Sequence, residues 1–422
     1  MEKTSRIPGF YKLSINERLK LVKEFSGLTE EDVQVIKNFG SLGEKLADAM
    51  IENVIGGMSY PFAVAVNFMI NGKEYLVPMV LEEPSVVAAA SNAARFMRRD
   101  GGIKAKAEAS LMIGQIQVIN LLNPNYAKML VLEHKNEILD LANQQDSVLV
   151  RLGGGAKDVE ARIIDTRIGP MLIVHLIVDV KDAMGANAVN TMCEAVAPLI
   201  EKITAGKVLL RIISNNAVKR LVRAWVKVYK EDIGEEVIDG IVAASAFAEA
   251  DPYRAVTHNK GIMNGIIAIA LATAQDHRAI EAGAHAYAAR SGTYKPLSVW
   301  EKDDEGNLVG TLELPLAVGV VGGATRTHPV AKVALKILGV KTAKELAEIM
   351  AAVGLAQNFA ALRALVTEGI QKGHMKLHAR NIAIMAGAKG ELIDKVAEIM
   401  IKEGKIRYSR AVEILKNILK KR

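Results

Sequence analysis

The chain has 422 residues, half of them hydrophobic, with 5% aromatic side chains and a formal net charge of +7 at pH 7. That length exceeds one ordinary core and predicts two or three domains, and the single cysteine, Cys193, excludes a disulfide framework and fits a buried thiol in a reducing cytoplasm. Between Lys389 and Arg422, ten Lys/Arg against five Asp/Glu supply +5 of the +7, so no basic stripe with interleaved aromatics argues for nucleic acid.

No run approaches the roughly 18 apolar residues of a spanning helix, and MEKTSRIPGF has no apolar signal core, so no membrane anchor is expected. The N-terminal segment reads as helices: Ser14 caps SINERLKLVKEF, Thr29 caps EEDVQVIKNFG, and KLADAMIENVIGG follows. PFAVAVNFMI and KEYLVPMVLEEP then form two strands across the two-residue turn Asn71-Gly72. The second strand ends at Glu82-Glu83-Pro84, and Ser85 starts a small-residue helix, SVVAAASNAARFMRR. The paired acids either flank a helix start or, at a strand end against a helix N-terminus, carry chemistry.

From 109 to 215 the pattern is βαββαβ, the split βαβ order of a ferredoxin-like unit: ASLMIGQIQVINL, a helix from Asn125 to Gln144, DVEARIIDT, MLIVHLIVDV, a helix from Asn187 to Ile203, and KVLLRIIS. The loop Asp182-Ala-Met184-Gly185-Ala-Asn187 joins a strand to a helix N-terminus, where free amides favour phosphate, although it is not GxGxxG. Asp146, after the preceding helix, can accept a ribose 2′-hydroxyl and would repel a 2′-phosphate, or be a plain loop acid.

After 215, NAVKRLVRAWVKV and Glu235 to Ala250 read as helices. Asp251 to Gly292 then places Arg254, His258, Lys260, Asn264 and Asp276 in a small, apolar run. If His258 to Ala274 is helical, Lys260 and Asn264 share a face, and Gly261 and Gly265 leave room for a helix or a ligand. Taken alone, Lys260 is a snorkelling or paired lysine and Asp276 an N-cap of a helix from Ala279 to Arg290. A hairpin turns at Glu305-Gly306, Gly322-Gly323 precedes a helix starting at Pro329, and helices follow over 342–354 and 355–371. At Gly373-His374 a hinge leads into a basic helical tail. His374 and His378 lack the glutamate and third ligand of a zinc site, so no metal is expected, and one mobile histidine suits proton donation.

With these pieces assembled, the chain resembles the soluble, class II 3-hydroxy-3-methylglutaryl-coenzyme A (HMG-CoA) reductases. The resemblance rests on ENVIGG (Glu52 to Gly57), VLEEPSVVAAAS (Val80 to Ser91), DAMGAN (Asp182 to Asn187), DPYRAVTHNKGIMNG (Asp251 to Gly265), VGGATRTHP (Val321 to Pro329) and GHMKLHARN (Gly373 to Asn381). It implies an α+β fold: a large HMG-CoA-binding domain of mixed helix and strand over 1–108 and 216–372, an inserted ferredoxin-like dinucleotide domain over 109–215, and a C-terminal helical flap over 373–422. A shorter connection between Arg223 and Glu236 is the one visible departure.

The resemblance implies a catalytic set of Glu83, Lys260, Asp276 and His374. Ser85, Arg254 and Asn264 would hold the HMG moiety, and Asp146, Asp182, Met184, Gly185 and Asn187 would lie along a nicotinamide dinucleotide, with NADH favoured and NADPH left open. Two hydrides reach one thioester carbon; Lys260 stabilises the oxyanion, His374 protonates the departing coenzyme A thiolate, Glu83 supplies a proton to the nascent alcohol, and Asp276 is coupled to both Lys260 and Glu83. The family implies a cytoplasmic homodimer with interfacial active sites, association into a hexamer being a further option. An oxidoreductase for another acyl thioester is the rival, against which Arg254 suits a terminal carboxylate. A nucleic-acid-binding or scaffolding protein is the other, and steep salt dependence without turnover would favour it.

Overall fold

A computed structural model describes residues 4–37, 40–53, 57–367 and 370–419, apart from the side chains of 11, 15, 37 and 370–377. Helices α1 (Ile15–Ser26), α2 (Glu30–Lys37) and α3 (Glu44–Met50) open it. A capping box closes the first: Ser14 Oγ accepts from Glu17 N, and Ser14 N donates to the Glu17 carboxylate at 2.7 Å. Strands β1 (Phe62–Ile70) and β2 (Lys73–Val80) pair antiparallel across the expected turn, with Asn71 and Gly72 both at positive φ. The hairpin is covered on both faces. Ala65, Phe68, Val77 and Met79 enter the main core, whereas Val66 and Leu76 pack with the N-terminal helices.

After α4 (Val86–Phe96) and β3 (Lys104–Ala107), the chain builds a separate sheet from β4 (Leu111–Ile119), β5 (Gly155–Ile164), β6 (Met171–Asp179) and β7 (Lys207–Ile213), antiparallel throughout in the order β5-β6-β4-β7. Helices α5 (Pro124–Glu133), α6 (Lys135–Asn143) and α8 (Ala186–Thr204) pack on it, and the short α7 (Ser147–Arg151) precedes β5. Its core centres on Met112, Ile116, Val174 and Cys193. A Cβ on Gly114 would lie 2.2 Å from Cys193 Sγ, so glycine here lets α8 settle on the sheet. Burial pushes the Cys193 thiol up to about 12, which makes it a packing residue.

The expected helix over NAVKRLVRAWVKV is instead strand β8 (Leu221–Val228), paired with β3 on one edge and β10 on the other. Val222, Ala224, Val226 and Val228 are buried while Arg223 and Trp225 are exposed, a period of two that outweighs the helical spacing of Leu221, Trp225 and Val228. Helices α9 (Lys230–Ile233), α10 (Glu235–Ala250), α11 (Pro252–Ala272) and α12 (His277–Ala288) follow, then β9 (Ser298–Lys302) and β10 (Leu308–Pro315) as the expected hairpin. The second sheet runs β3-β8-β10-β9.

Past α13 (Gly323–Thr327) and α14 (Pro329–Leu338), the two helices expected over 342–371 are one, α15 (Ala343–Val366). Gly354, the apparent break, lies where α11 crosses: its Cβ would meet Ile266 at 2.9 Å. By length and composition α15 could cross a bilayer, but it is the central rod of the large core, with Leu346, Met350, Val353 and Phe359 fully buried and Phe359 5.6 Å from the Trp300 ring. The C-terminal helices α16 (Ile370–Met385), α17 (Glu391–Glu403) and α18 (Tyr408–Leu419) share a small core of their own, including Ala383, Val396, Met400 and Ala411. Gly373 and His374 lie within α16, so no hinge falls at that pair.

Candidate active site

Helix α11 begins with Pro252 at its first turn and Asp251 Oδ1 accepting from Tyr253 N at 3.1 Å. Strand β2 runs alongside it and delivers Glu83 to its exposed side. There Lys260 Nζ lies 3.4 Å from Glu83 Oε2, with 62% and 40% of the two side chains exposed. An ion pair that open contributes at most about 1 kcal/mol, so it is no anchor of the fold. It leaves an ammonium and a carboxylate side by side and accessible. Asn264, one turn on, is half-buried, and among the described residues its amide has no hydrogen-bond partner.

The paired glycines have different jobs. A Cβ on Gly265 would press on Val353 and Gln357 of α15 at 3.2 Å, whereas one on Gly261 would meet nothing within 4 Å. Gly265 serves helix packing; Gly261 keeps a face clear beside Lys260. His258 belongs to the interior: its Nε2 is 2.7 Å from Ser298 Oγ, which donates to Asn358 Oδ1, which also accepts from Trp300 Nε1 at 2.7 Å. Burial holds the His258 imidazole down at about 4, with Arg254 a lesser cause. Arg254 sits on the stripe of His258, about 120° around the helix from Lys260, and burial lowers its guanidinium. Among the described residues it has no carboxylate partner.

Ser85 starts α4 at φ 85°, a left-handed conformation that costs a non-glycine residue roughly 1 kcal/mol or more. Glu83, Pro84 and Ser85 line a cavity of about 2130 Å³ together with Arg95, Leu271, Ala272 and His328. Glu83 thus both lines this cavity and contacts the Lys260 amine. Burial lowers the His328 imidazole, whose Nδ1 has no hydrogen-bond partner among the described residues.

Asp276 caps α12, accepting from Ala279 N at 3.1 Å, and pairs with Arg278 at 3.1 Å. Among the described residues no ion pair joins it to Lys260. The turn before it is fixed by Gln275, which sequence reasoning passed over: its buried amide donates to Gly319 O at 2.9 Å and accepts from Gly319 N at 2.8 Å. Gly319 in turn abuts the 182–187 loop, where its Cβ would stand 2.5 Å from Met184 N.

That loop is tightly held. Asp182 Oδ1 accepts from Ala343 N at 2.8 Å, at the start of α15, so this carboxylate is engaged by the fold. Gly185 has φ 107° and a Cβ there would strike Val180 at 2.6 Å, while Asn187 is exposed on the first turn of α8. Beneath the loop lies Arg220, buried, donating to Met184 O at 3.0 Å, Ala183 O at 3.1 Å and Val318 O at 2.6 Å. Its position at the entry of β8 was invisible while that segment read as a helix. Asp146 caps α7 through Oδ1, which accepts from Leu149 N at 2.8 Å. The His374 side chain lies outside the described residues. Among the described residues no three His, Cys, Asp or Glu side chains gather as a metal site.

The sequence model of the hydroxymethylglutaryl-coenzyme A reductase family matches residues 14–379. A 3-hydroxy-3-methylglutaryl-coenzyme A reductase of Archaeoglobus fulgidus is 64% identical over 98% of this chain and 95% of its own length. A probable enzyme of the same name from Borreliella burgdorferi is 34% identical over 90% of this chain and 87% of its own. The solved reductase of Streptococcus pneumoniae superposes with a TM-score of 0.83 at 42% identity, covering 97% of this chain and 99% of that one. A class II structure from the same organism, bound to NADPH in open conformations, gives 0.82 at 44% identity over 85% of this chain and 99% of that one. The chain belongs to the hydroxymethylglutaryl-coenzyme A reductase family, in its class II branch.

Proposed function

We propose that this protein interconverts HMG-CoA and mevalonate plus coenzyme A, with Lys260 as the cation that stabilises the oxyanion formed when the thioester carbon accepts a hydride. The observation that carries the reading is the accessible Lys260–Glu83 pair at 3.4 Å, flanked by Gly261 and by Asn264, whose amide has no partner among the described residues. A fixed ammonium aimed at developing negative charge is worth several kcal/mol in a barrier, far more than the same contact contributes to stability. Glu83, just past the end of β2, would hand a proton to an oxygen bound by Lys260 once it has itself been protonated. The cavity that Glu83 and Ser85 line is suited to the acyl-thioester arm.

A nicotinamide dinucleotide would supply the two hydrides. The 109–215 unit, read as an inserted ferredoxin-like domain, would hold it: Gly185 lets the loop pack closely on Val180 as it enters α8, and the α8 N-terminus favours its diphosphate. Asp146 favours NADH by meeting a ribose hydroxyl. In this reading α16 to α18 form a flap that brings His374 to the coenzyme A thiolate, and Asp276 joins Lys260 and Glu83 as substrate closes the site. Arg254, a half-buried cation with no acidic partner among the described residues, suits the HMG carboxylate at a site completed by a second copy of the chain.

The test is nicotinamide absorbance against HMG-CoA with each reduced cofactor, on the parent and on Lys260→Met. Turnover with NADH preferred, and a loss of about 10²–10³-fold in kcat for the variant, is expected. Undiminished turnover in Lys260→Met would remove the oxyanion role.

A further inference from the structure

We propose that Arg220 is a positioning residue for the dinucleotide: from beneath the 182–187 loop, its buried guanidinium sets the loop backbone that faces the diphosphate and adds positive potential there. This rests on the reading of that loop as the cofactor site. Arg220 is 5% exposed, and among the described residues all three hydrogen bonds of its side chain go to backbone carbonyls, those of Ala183, Met184 and Val318. No carboxylate pairs with it among the described residues. Burial lowers it to about 10, against the pull of Asp179 and Asp182, so it keeps its charge at neutral pH.

A buried cation without an ion-pair partner is costly, and apolar side chains of similar size commonly replace such groups without loss of stability. What an apolar side chain could not do is hold two successive carbonyls. In a trans peptide the C=O and the following N–H point in opposite directions. By drawing the Met184 carbonyl inward, Arg220 turns the Gly185 N–H away from itself, toward the end of α8. Among the described residues that N–H has no protein acceptor. The planar fork spans both carbonyls, and its charge adds to the partial positive charge of the α8 N-terminus. The third bond, to Val318, fixes the loop to the segment that Gln275 ties to the Asp276 turn. Arg220 thus sets the loop's distance from the large core as well as its conformation.

The test compares Arg220→Met, Arg220→Lys and Asn187→Asp with the parent, reading NADH binding by fluorescence, KM for each substrate, kcat, and the salt dependence of NADH binding. Arg220→Met is expected to weaken NADH binding ~10-fold or more and flatten its salt dependence, with KM for HMG-CoA within about twofold. Arg220→Lys, keeping the charge and losing the fork, is expected to lose ~3–5-fold with its salt dependence intact. Should the methionine variant fail to fold, the lysine variant decides alone. A folded variant that binds NADH as the parent does, or that raises both KM values alike, overturns the proposal. Asn187→Asp places a carboxylate at the exposed α8 N-terminus. If it leaves NADH binding unchanged, the reading of the loop fails; if it weakens binding while the Arg220 variants do not, only the role of Arg220 fails.

Discussion

At the scale of single residues, the polar groups of α11 divide sharply, and two of the resulting expectations can be measured. His258 is neutral in the fold, held at about 4 against an ordinary 6.5. The unfolded chain therefore binds the extra proton first as pH falls. The stability tied to a neutral His258 is complete above pH 6.5 and drains away towards pH 4, by about 3 kcal/mol at most. His258→Gln, whose amide nitrogen can still reach Ser298, should show a flatter fall in urea midpoint between pH 6.5 and 4 than the parent; parallel curves would mean that other groups carry the acid sensitivity. Ser85 makes the opposite case. Its left-handed backbone suits glycine, so Ser85→Gly should hold or raise the melting temperature while lowering turnover. A variant that is stable and fully active would show that the hydroxyl has no part in substrate binding.

At the scale of elements, the open flank of α11 predicts a further separation of stability from activity. Alanine at 261 meets no neighbour and gains helix propensity, so Gly261→Ala should stabilise by roughly 0.5–1 kcal/mol in denaturant unfolding. The same methyl group stands beside Lys260, and kcat/KM for HMG-CoA should fall; if it does not, that face is not where substrate lies. Much at this level was legible in the chain. The Asn71-Gly72 hairpin, the capped α1, the 109–215 element order, and Lys260 and Asn264 on one face all follow from spacing and local chemistry. What local pattern could not arbitrate was β8, whose Leu221, Trp225 and Val228 also fit a helix. Long-range pairing with β3 and β10 decided it. The same gap hid Arg220, since its burial depends on a loop 36 residues away in sequence. The division at 354 and 355 ends a helix on Gly354, and glycine also serves where two helices cross, as it does here against Ile266.

At the scale of the whole molecule, the core around Trp300 and the C-terminal core around Val396 and Met400 are distinct, which predicts that they open independently. A Cβ at 310 would lie 2.3 Å from the Trp300 ring, so Gly310→Ala should destabilise the large core by about 1–3 kcal/mol. Hydrogen exchange should then rise across β8 to β10 and stay unchanged in local openings of α17 and α18; a uniform rise would mean one cooperative unit. The placement of α15 also has a consequence for biosynthesis. This central rod packs against α4, α10, α11, β3 and β8, all of which precede it in the chain. Until residue 366 has left the ribosome, the apolar faces of those elements lack their cover, so this core can close only after α15 has emerged. The nascent chain is therefore most exposed to aggregation, and most in need of a holding chaperone, in the interval before α15 emerges.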